Sequence, residues 1–462
     1  MTSECQNHAP EFLTNSRKVV ILLLNLLLFV MISITQTFAQ PFLPSELSAK
    51  GISASVIGAT YSAFGVTAMF SLLYLLFFFK NFGQQKLLFS IGGLVTAIAT
   101  ALIGQLDRAY EGKTFIAAFT IVRGCLGCGY IITWASAAPL LISLFPRDTG
   151  KVCSLITLGL NVGGIIGAPL GGFLYSVGGF AFPFWIVSSL HLLICSICYV
   201  GIPGGADGPQ HENANHHQPS LKTVRDLLAD PGVLSTCFAI MPVASVLGFI
   251  DVAFAAHLTQ TYQIIKPGNF FLPFAITCAI LSNLIGAFID KGYTGIVFCF
   301  MGSMLGAITF LAMSQLKWIL PRLTSLVTLE ILLAFAALSV LCIINSSIPL
   351  LRKLFTRKNH NIPLVLLDAY AIIIFGISNC IGVVLGQCLV GGVILDKFGF
   401  YVSCLVISVS CAVTGLITGV ILSKKKTLFR NPGHQPLISS SNSIIVEDSD
   451  SENLESDSNI VV

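Results

Sequence analysis

Apolar residues run through this chain in long unbroken stretches, separated by short segments rich in charged and turn-forming residues. Crossing ~30 Å of hydrocarbon takes ~20 mostly apolar residues in a helix. Twelve stretches meet that length: 19 to 39, 54 to 79, 87 to 106, 114 to 144, 152 to 175, 181 to 202, 233 to 258, 270 to 289, 294 to 314, 323 to 350, 363 to 395 and 400 to 423. Six precede the polar stretch 203 to 232 and six follow it. The pattern predicts an all-α membrane protein of twelve transmembrane helices in two six-helix halves, 19–202 and 233–426. A segment 1–18, a linker 203–232 and a tail 427–462 lie outside them.

A glycine ladder supports the two-half reading. Gly163, Gly164, Gly167, Gly171 and Gly172 lie around Pro169 in the fifth stretch, and Gly382, Gly386, Gly391 and Gly392 repeat the series in the eleventh. Each copy is followed by a Gly-Phe pair, Gly179-Phe180 and Gly399-Phe400. The first glycines of the copies are 219 residues apart and the later ones 220, as expected of one unit built twice with one extra residue in the second copy. Glycine at every fourth position leaves a stripe without side chains, along which a neighbouring helix can approach closely in lipid. Pro169 removes a backbone donor and favours a kink.

Composition agrees with a membrane protein. The hydrophobic fraction is 55%, the charged fraction 10% and the mean hydropathy +0.86. With both termini cytosolic, 17 of the 25 Lys and Arg fall on the cytosolic side, 7 on the other, and Arg123 lies within a span. The net charge of +4 therefore reports topology and not a nucleic-acid partner. The first apolar run follows 18 mostly polar residues without a small-residue cleavage site, so it reads as a retained helix. The fourteen cysteines lie mostly in apolar segments; Cys125/Cys128 and Cys195/Cys198 have metal-like spacing but no matching second pair, and buried apolar cysteine is the better reading. No metal or cofactor is implied.

Outside the spans, 204 to 220 is rich in Gly, Pro, Asn and His and reads as a flexible cytosolic linker in which His211, His216 and His217 carry no fixed site. Leu221, Val224, Leu227 and Leu228 then share one face of a short interfacial helix closed by Pro231. The tail from Arg430 is serine-rich and acidic, open to phosphorylation. Its Gln435-Pro436-Leu437-Ile438 resembles the end of a sorting signal for adaptors of the endosomal or lysosomal route, although Gly433 stands where an acid is usual.

No nucleotide-driven motor is visible. Gly112-Lys113-Thr114 resembles the end of a phosphate loop, but Asp107 replaces its leading glycine. The chain reads as a gradient-driven carrier rather than an enzyme. Asp251 is its foremost candidate residue: a carboxylate inside a span normally faces a cavity or a partner, and there it can trade a proton for a cationic substrate. The alternative is a structural acid near the outer face. Aligning Phe38-Ala39-Gln40 with Phe249-Ile250-Asp251 makes Gln40 its pseudo-symmetric counterpart. Arg123, about ten residues into span four by its pattern, needs acceptors, either for coupling or for anchoring. Glu46 and Glu330, near span ends, are expected to be exposed. Asn161, Asn283 and Asn379 are mid-span amides suited to helix-to-helix hydrogen bonds or to lining the cavity. Asn345-Ser346-Ser347 matches a glycosylation pattern at the wrong side of the membrane.

These residues together resemble the major facilitator superfamily and, within it, the vesicular amine transporter family, nearest its polyamine-exporting branch. The resemblance covers nearly all of 19–423. It rests on Phe42-Leu43-Pro44-Ser45-Glu46 with Lys50-Gly51-Ile52-Ser53, on Arg123 to Gly129, on Gly167 to Tyr175 with Gly179-Phe180 and Pro183-Phe184, and on Gly248-Phe249-Ile250-Asp251. It implies the major facilitator fold and exchange of protons for a cytosolic organic cation, with Asp251 contacting the cation, Arg123 in coupling, and Gly163 to Gly172 as the antiporter motif that seals and bends span five.

Three departures qualify it. The gate motif after span two is eroded to Leu76, Lys80 and Asn81, whereas its counterpart Gly286, Asp290, Lys291 after span eight stands in outline. Gln387 and Cys388 replace the proline usual in the second ladder, and Gly376 stands about where monoamine carriers hold an acid. The reading is a proton-coupled exporter of amines or polyamines into vesicles, endosomes or lysosomes, its partners being a small cation, protons and the bilayer. Two alternatives stand beside it: a plasma-membrane facilitator of a neutral or anionic solute, and a non-transporting receptor or scaffold of the same fold.

Overall fold

The computed structural model of the chain describes residues 15–78, 85–109, 112–144, 149–201, 221–262, 270–290, 295–319, 326–358 and 364–424. The linker histidines, the tail, Lys80, Asn81 and Lys291 lie outside them, as do the side chains of Asn283 and Asp290. The first half contains α1 (Asn15–Thr37), α2 (Leu43–Ala49), α3 (Ala54–Phe78), α4 (Gln85–Ala109), α5 (Gly112–Leu144), α6 (Thr149–Gly178) and α7 (Ala181–Gly201). The second contains α8 (Leu221–Leu228), α9 (Pro231–Phe249), α10 (Ala255–Tyr262), α11 (Leu272–Asp290), α12 (Gly295–Ile319), α13 (Leu326–Lys358), α14 (Leu364–Val384), α15 (Leu395–Phe398) and α16 (Phe400–Lys424). Among the described residues eleven helical segments are long and apolar enough to cross a membrane; α11 adds a shorter apolar stretch, Leu272–Gly286.

Two spans change helical form midway. Ile250–Phe254 is a π-helical turn joining α9 to α10, and Leu385–Ile394 is a π-helical stretch joining α14 to α15. The second explains the repeat arithmetic. Gly382 and Gly386 stand 219 residues after Gly163 and Gly167, while Gly391 and Gly392 stand 220 after Gly171 and Gly172. The surplus residue therefore falls within Leu385–Ile394. A π-helix, bonded i to i+5, takes up an additional residue without displacing the helix on either side.

Packing repeats between the halves. α1 packs on α6 as α9 packs on α14, α4 on α5 as α12 on α13, and α4 on α7 as α12 on α16. The ladders make the first of these pairings. A Cβ on Gly163 would meet the Val30 carbonyl carbon at 3.0 Å and Ser33 Cβ at 2.7 Å, and one on Gly171 would run into the Phe38 backbone. Likewise a Cβ on Gly382 would meet Ala244 Cβ at 2.6 Å, and one on Gly386 the Ser245 Cα at 2.7 Å. Each ladder thus seats its span directly on the backbone of the first span of its own half. Gly286 is different: a Cβ there would meet nothing within 4 Å among the described residues.

The Gly-Phe pairs serve a separate purpose. Gly179 and Gly399 adopt φ of 72° and 83°, and their amides bond to Tyr175 and Leu395 carbonyls at 2.9 and 3.0 Å. Each ends a span in the left-handed conformation that glycine takes without steric cost. The halves meet where α3 packs against α14 and the π-helical stretch, and where α6 packs against α11. Exposed Ile91, Leu94, Ile98 and Leu102 on α4, and Val409, Val413, Leu416 and Val420 on α16, give the bundle apolar outer faces suited to lipid. Several buried hydroxyls in the spans satisfy themselves locally, as Thr96, Thr100 and Thr133 do by donating to the carbonyl four residues back.

Candidate functional site

The π-helical turn of span seven presents Asp251 to the interior. Gln40 Nε2, in the turn that ends span one, donates to Asp251 Oδ1 at 2.5 Å. Gln387 Nε2, from the π-helical stretch of span eleven, donates to Oδ2 at 3.3 Å. One carboxylate is thereby held at both oxygens by amides from two other spans. The pairing of Gln40 with Asp251, reached from pseudo-symmetry, is a direct contact. Gln387 was noted in the sequence only as a missing proline. Its signal was a second amide after Asn379 in the same apolar span, at the place where the repeat gains a residue.

Arg123 on α5 completes the group. Its guanidinium carbon lies 4.2 Å from the Tyr61 ring centroid and 5.7 Å from that of Phe64. Planar stacking of this kind suits arginine in a low-dielectric setting. Its Nε is buried with no hydrogen-bond partner among the described residues. Its charge lies close enough to act on Asp251 and Tyr61 electrostatically. Tyr61 Oη and Gln387 Oε1 are likewise buried and unpartnered. Unmet buried polar atoms cost about 1–3 kcal/mol each, and three of them belong to the group around Asp251. Nearby, Tyr130 Oη donates to Gln36 Oε1 at 2.7 Å, one helical turn before Gln40, and its ring lies 5.4 Å from Phe64.

Several expectations change. Asn161 Nδ2 and Asn379 Oδ1 are buried without a hydrogen-bond partner among the described residues, so those atoms do not make the expected helix-to-helix bonds. The amide bond of that kind comes from Asn345, whose Nδ2 donates to Ser282 O and Oγ at 3.2 and 3.0 Å. Glu46 is half-buried rather than exposed, because it lies on α2, a helix the apolar pattern did not indicate, and accepts a hydrogen bond from Tyr175 Oη. Glu330 is half-buried as well. Cys195 and Cys198 are buried, whereas Cys125 is exposed and Cys128 accepts from Ser71 at 3.2 Å. No metal-binding cluster forms among the described residues.

Contacts between halves gather beyond Asp251, toward α2. Ser45 and Thr259 hydroxyls lie 3.3 Å apart, Gln260 Nε2 donates to Ser48 Oγ at 3.0 Å, and Ser55 Oγ donates to Asp396 Oδ2 at 2.6 Å. Beside them α3 and span eleven touch backbone to backbone, a Cβ on Gly58 falling 2.8 Å from Gly392 Cα. At this end of the bundle the two halves are in direct contact.

Known proteins agree with this architecture. The family model described as Major Facilitator Superfamily matches residues 25–360. The chain is 28% identical over 253 residues to the human MFS-type transporter SLC18B1, covering 54% of this chain and 53% of the relative, and 30% identical over 263 residues to the mouse protein, covering 56% and 54%. A purine ribonucleoside efflux pump, NepI of Salmonella typhimurium, is 25% identical over 251 residues, 54% of this chain and 57% of the pump. The chain spans about half the length of the curated relatives it matches. Among solved structures, a bacterial homolog of the human lysosomal transporter Spinster, inward-facing and unoccupied, superposes with a TM-score of 0.71 at 14% identity, covering 91% of this chain and 100% of that one. The nucleoside transporter NupG gives 0.65 at 13% identity, covering 88% and 99%. Repeated helix packing, the doubled ladder and a family match across most of the spans lead to one conclusion: this chain belongs to the major facilitator superfamily.

Proposed function

We propose that the chain is a secondary active transporter that exchanges protons for organic cations, amines or polyamines, across the membrane of an acidic vesicle. The supporting observation is Asp251, an acid set among three spans and held by Gln40 and Gln387. A carboxylate at such a place is costly unless its charge is met. Amide donors meet it in part; a proton or a substrate ammonium group meets it fully. Because either one satisfies the same two oxygens, they compete, and that competition is what exchange requires. Arg123, stacked on Tyr61, adds a fixed positive charge that opposes simultaneous occupancy by proton and cation. Both termini face the cytosol in this reading, and the α2 end faces the lumen. The two six-helix halves, 19–202 and 233–426, rock about Asp251, and the acidic tail engages sorting adaptors.

The test is uptake into proteoliposomes with an acidic interior, using labelled spermidine, monoamines and neutral solutes. Cation uptake that collapses with the gradient and in Asp251→Asn is expected. Uptake indifferent to both overturns the reading, and no uptake at all overturns it and leaves the non-transporting scaffold. A second reading is a facilitator of neutral or anionic solutes. It draws on the unpartnered Arg123 Nε and Gln387 Oε1 and on the nucleoside cargo named for NepI and NupG. Gradient-independent uptake of a labelled nucleoside selects it.

A further inference from the structure

The gate and the carboxylate share one residue. Gln387 is 2% exposed and sits where α3, span seven and span eleven meet. Its side chain donates to Asp251. Its backbone carbonyl oxygen lies where a Cβ on Gly58 would fall, and its amide nitrogen and Cγ lie 3.0 and 3.1 Å from where a Cβ on Gly248 would be. Glycine at 58, 248 and 392 is what lets the three backbones converge on it. The residue belongs to the π-helical stretch, whose i to i+5 bonding marks a locally rearranged ladder. Nine residues further on, Asp396 accepts the Ser55 hydrogen bond that ties span eleven to α3.

We propose that Gln387 is the positioning residue that couples the charge on Asp251 to closure of the α2 end. When the carboxylate is charged and free to accept, the Gln387 amide is drawn to Oδ2, and its backbone is held against Gly58 and Gly392. When Asp251 is neutralised, one acceptor is lost, the amide is released, and the α3 to span-eleven crossing loses its fixed geometry. The other groups bearing on the carboxylate are Gln40, the Arg123 charge from α5 and Tyr61 from α3. Of the titratable groups on the adjoining α2 and α10, Glu46 is engaged by Tyr175, His257 is stacked on Phe400 at 3.8 Å, and Tyr262 meets the His257 ring edge-on at 5.9 Å. Among the described residues only Gln387 combines a bond to Asp251 with a backbone seat in the gate crossing. This inference rests on the exchange reading for the role of Asp251, but its test needs no transported substrate.

The experiment is a double-mutant cycle read by the opening of the α2 end. Spin labels go at Ala49 and Thr261, both exposed and on opposite halves, through a non-canonical amino acid, so that native cysteines stay in place. Pulsed-dipolar spectroscopy on the full chain in nanodiscs then gives the ratio of separated to closed populations. Asp251→Asn is expected to change that ratio about fivefold or more, the lower end of an allosteric coupling. In a Gln387→Met background, which keeps volume and loses the donor, the same replacement is expected to change it less than about twofold. Gln387→Ala gives the same comparison should the Met variant not accumulate. An equal response to Asp251→Asn with and without Gln387 overturns the proposal. Loss of gradient-driven amine uptake with this coupling intact overturns the exchange reading instead.

Discussion

Alanine at Gly163 and at Gly286 should have opposite effects, although both replace glycine inside a helix. Helix propensity favours alanine by about 1 kcal/mol at either position. At Gly286, where a Cβ meets nothing within 4 Å among the described residues, that gain stands alone. At Gly163 the added methyl falls 2.7 Å from Ser33 Cβ and 3.0 Å from the Val30 carbonyl carbon, neither of them the end of a flexible side chain. Forcing such a contact apart costs about 1–3 kcal/mol, so Gly163→Ala should lose up to about 2 kcal/mol net. Thermal unfolding of detergent-solubilised protein, followed by size-exclusion fluorescence, should place Gly286→Ala at or above wild type and Gly163→Ala clearly below it. If the two variants melt together, the ladder does not seat α6 on α1 as described.

Gln40→Leu removes the 2.5 Å bond to Asp251 and should lower gradient-driven cation uptake nearly as far as Asp251→Asn, measured as initial rate in proteoliposomes. Arg123→Lys keeps the charge but loses planar stacking on Tyr61; cation–π contacts of about 0.5–2 kcal/mol predict a roughly 2- to 30-fold drop in uptake. Tyr61→Phe, which retains the ring and removes only an unpartnered hydroxyl, should stay within about twofold of wild type if stacking is what matters. Ser55→Ala removes the 2.6 Å bond to Asp396 and should raise the accessibility of the α2 end to impermeant reagents.

The length and order of the spans were readable because hydrocarbon imposes one rule on every crossing segment. The ladder and the Gly-Phe pairs were readable because only glycine fits a backbone-to-backbone contact or a left-handed helix end. Gln40 was found through the repeat, which places like positions opposite each other. What escaped was of another kind. The α2 helix is too short and polar to register against long apolar runs, so Glu46 was misplaced with it. The π-helical stretch left only a count of 220 in place of 219, and Gln387 was hidden in that surplus. Partners for Arg123 could not be read from spacing, because a ring on another span offers a stacking face that no local motif encodes.

Glycine seats without side chains have no rotamers to rearrange. Spans one and five, and spans seven and eleven, are therefore splinted into two stiff blades. Gln40 belongs to the first blade and Asp251 to the second. Their bond is a pin between two levers, and under the proposed exchange a change of one proton's worth of charge acts at that pin.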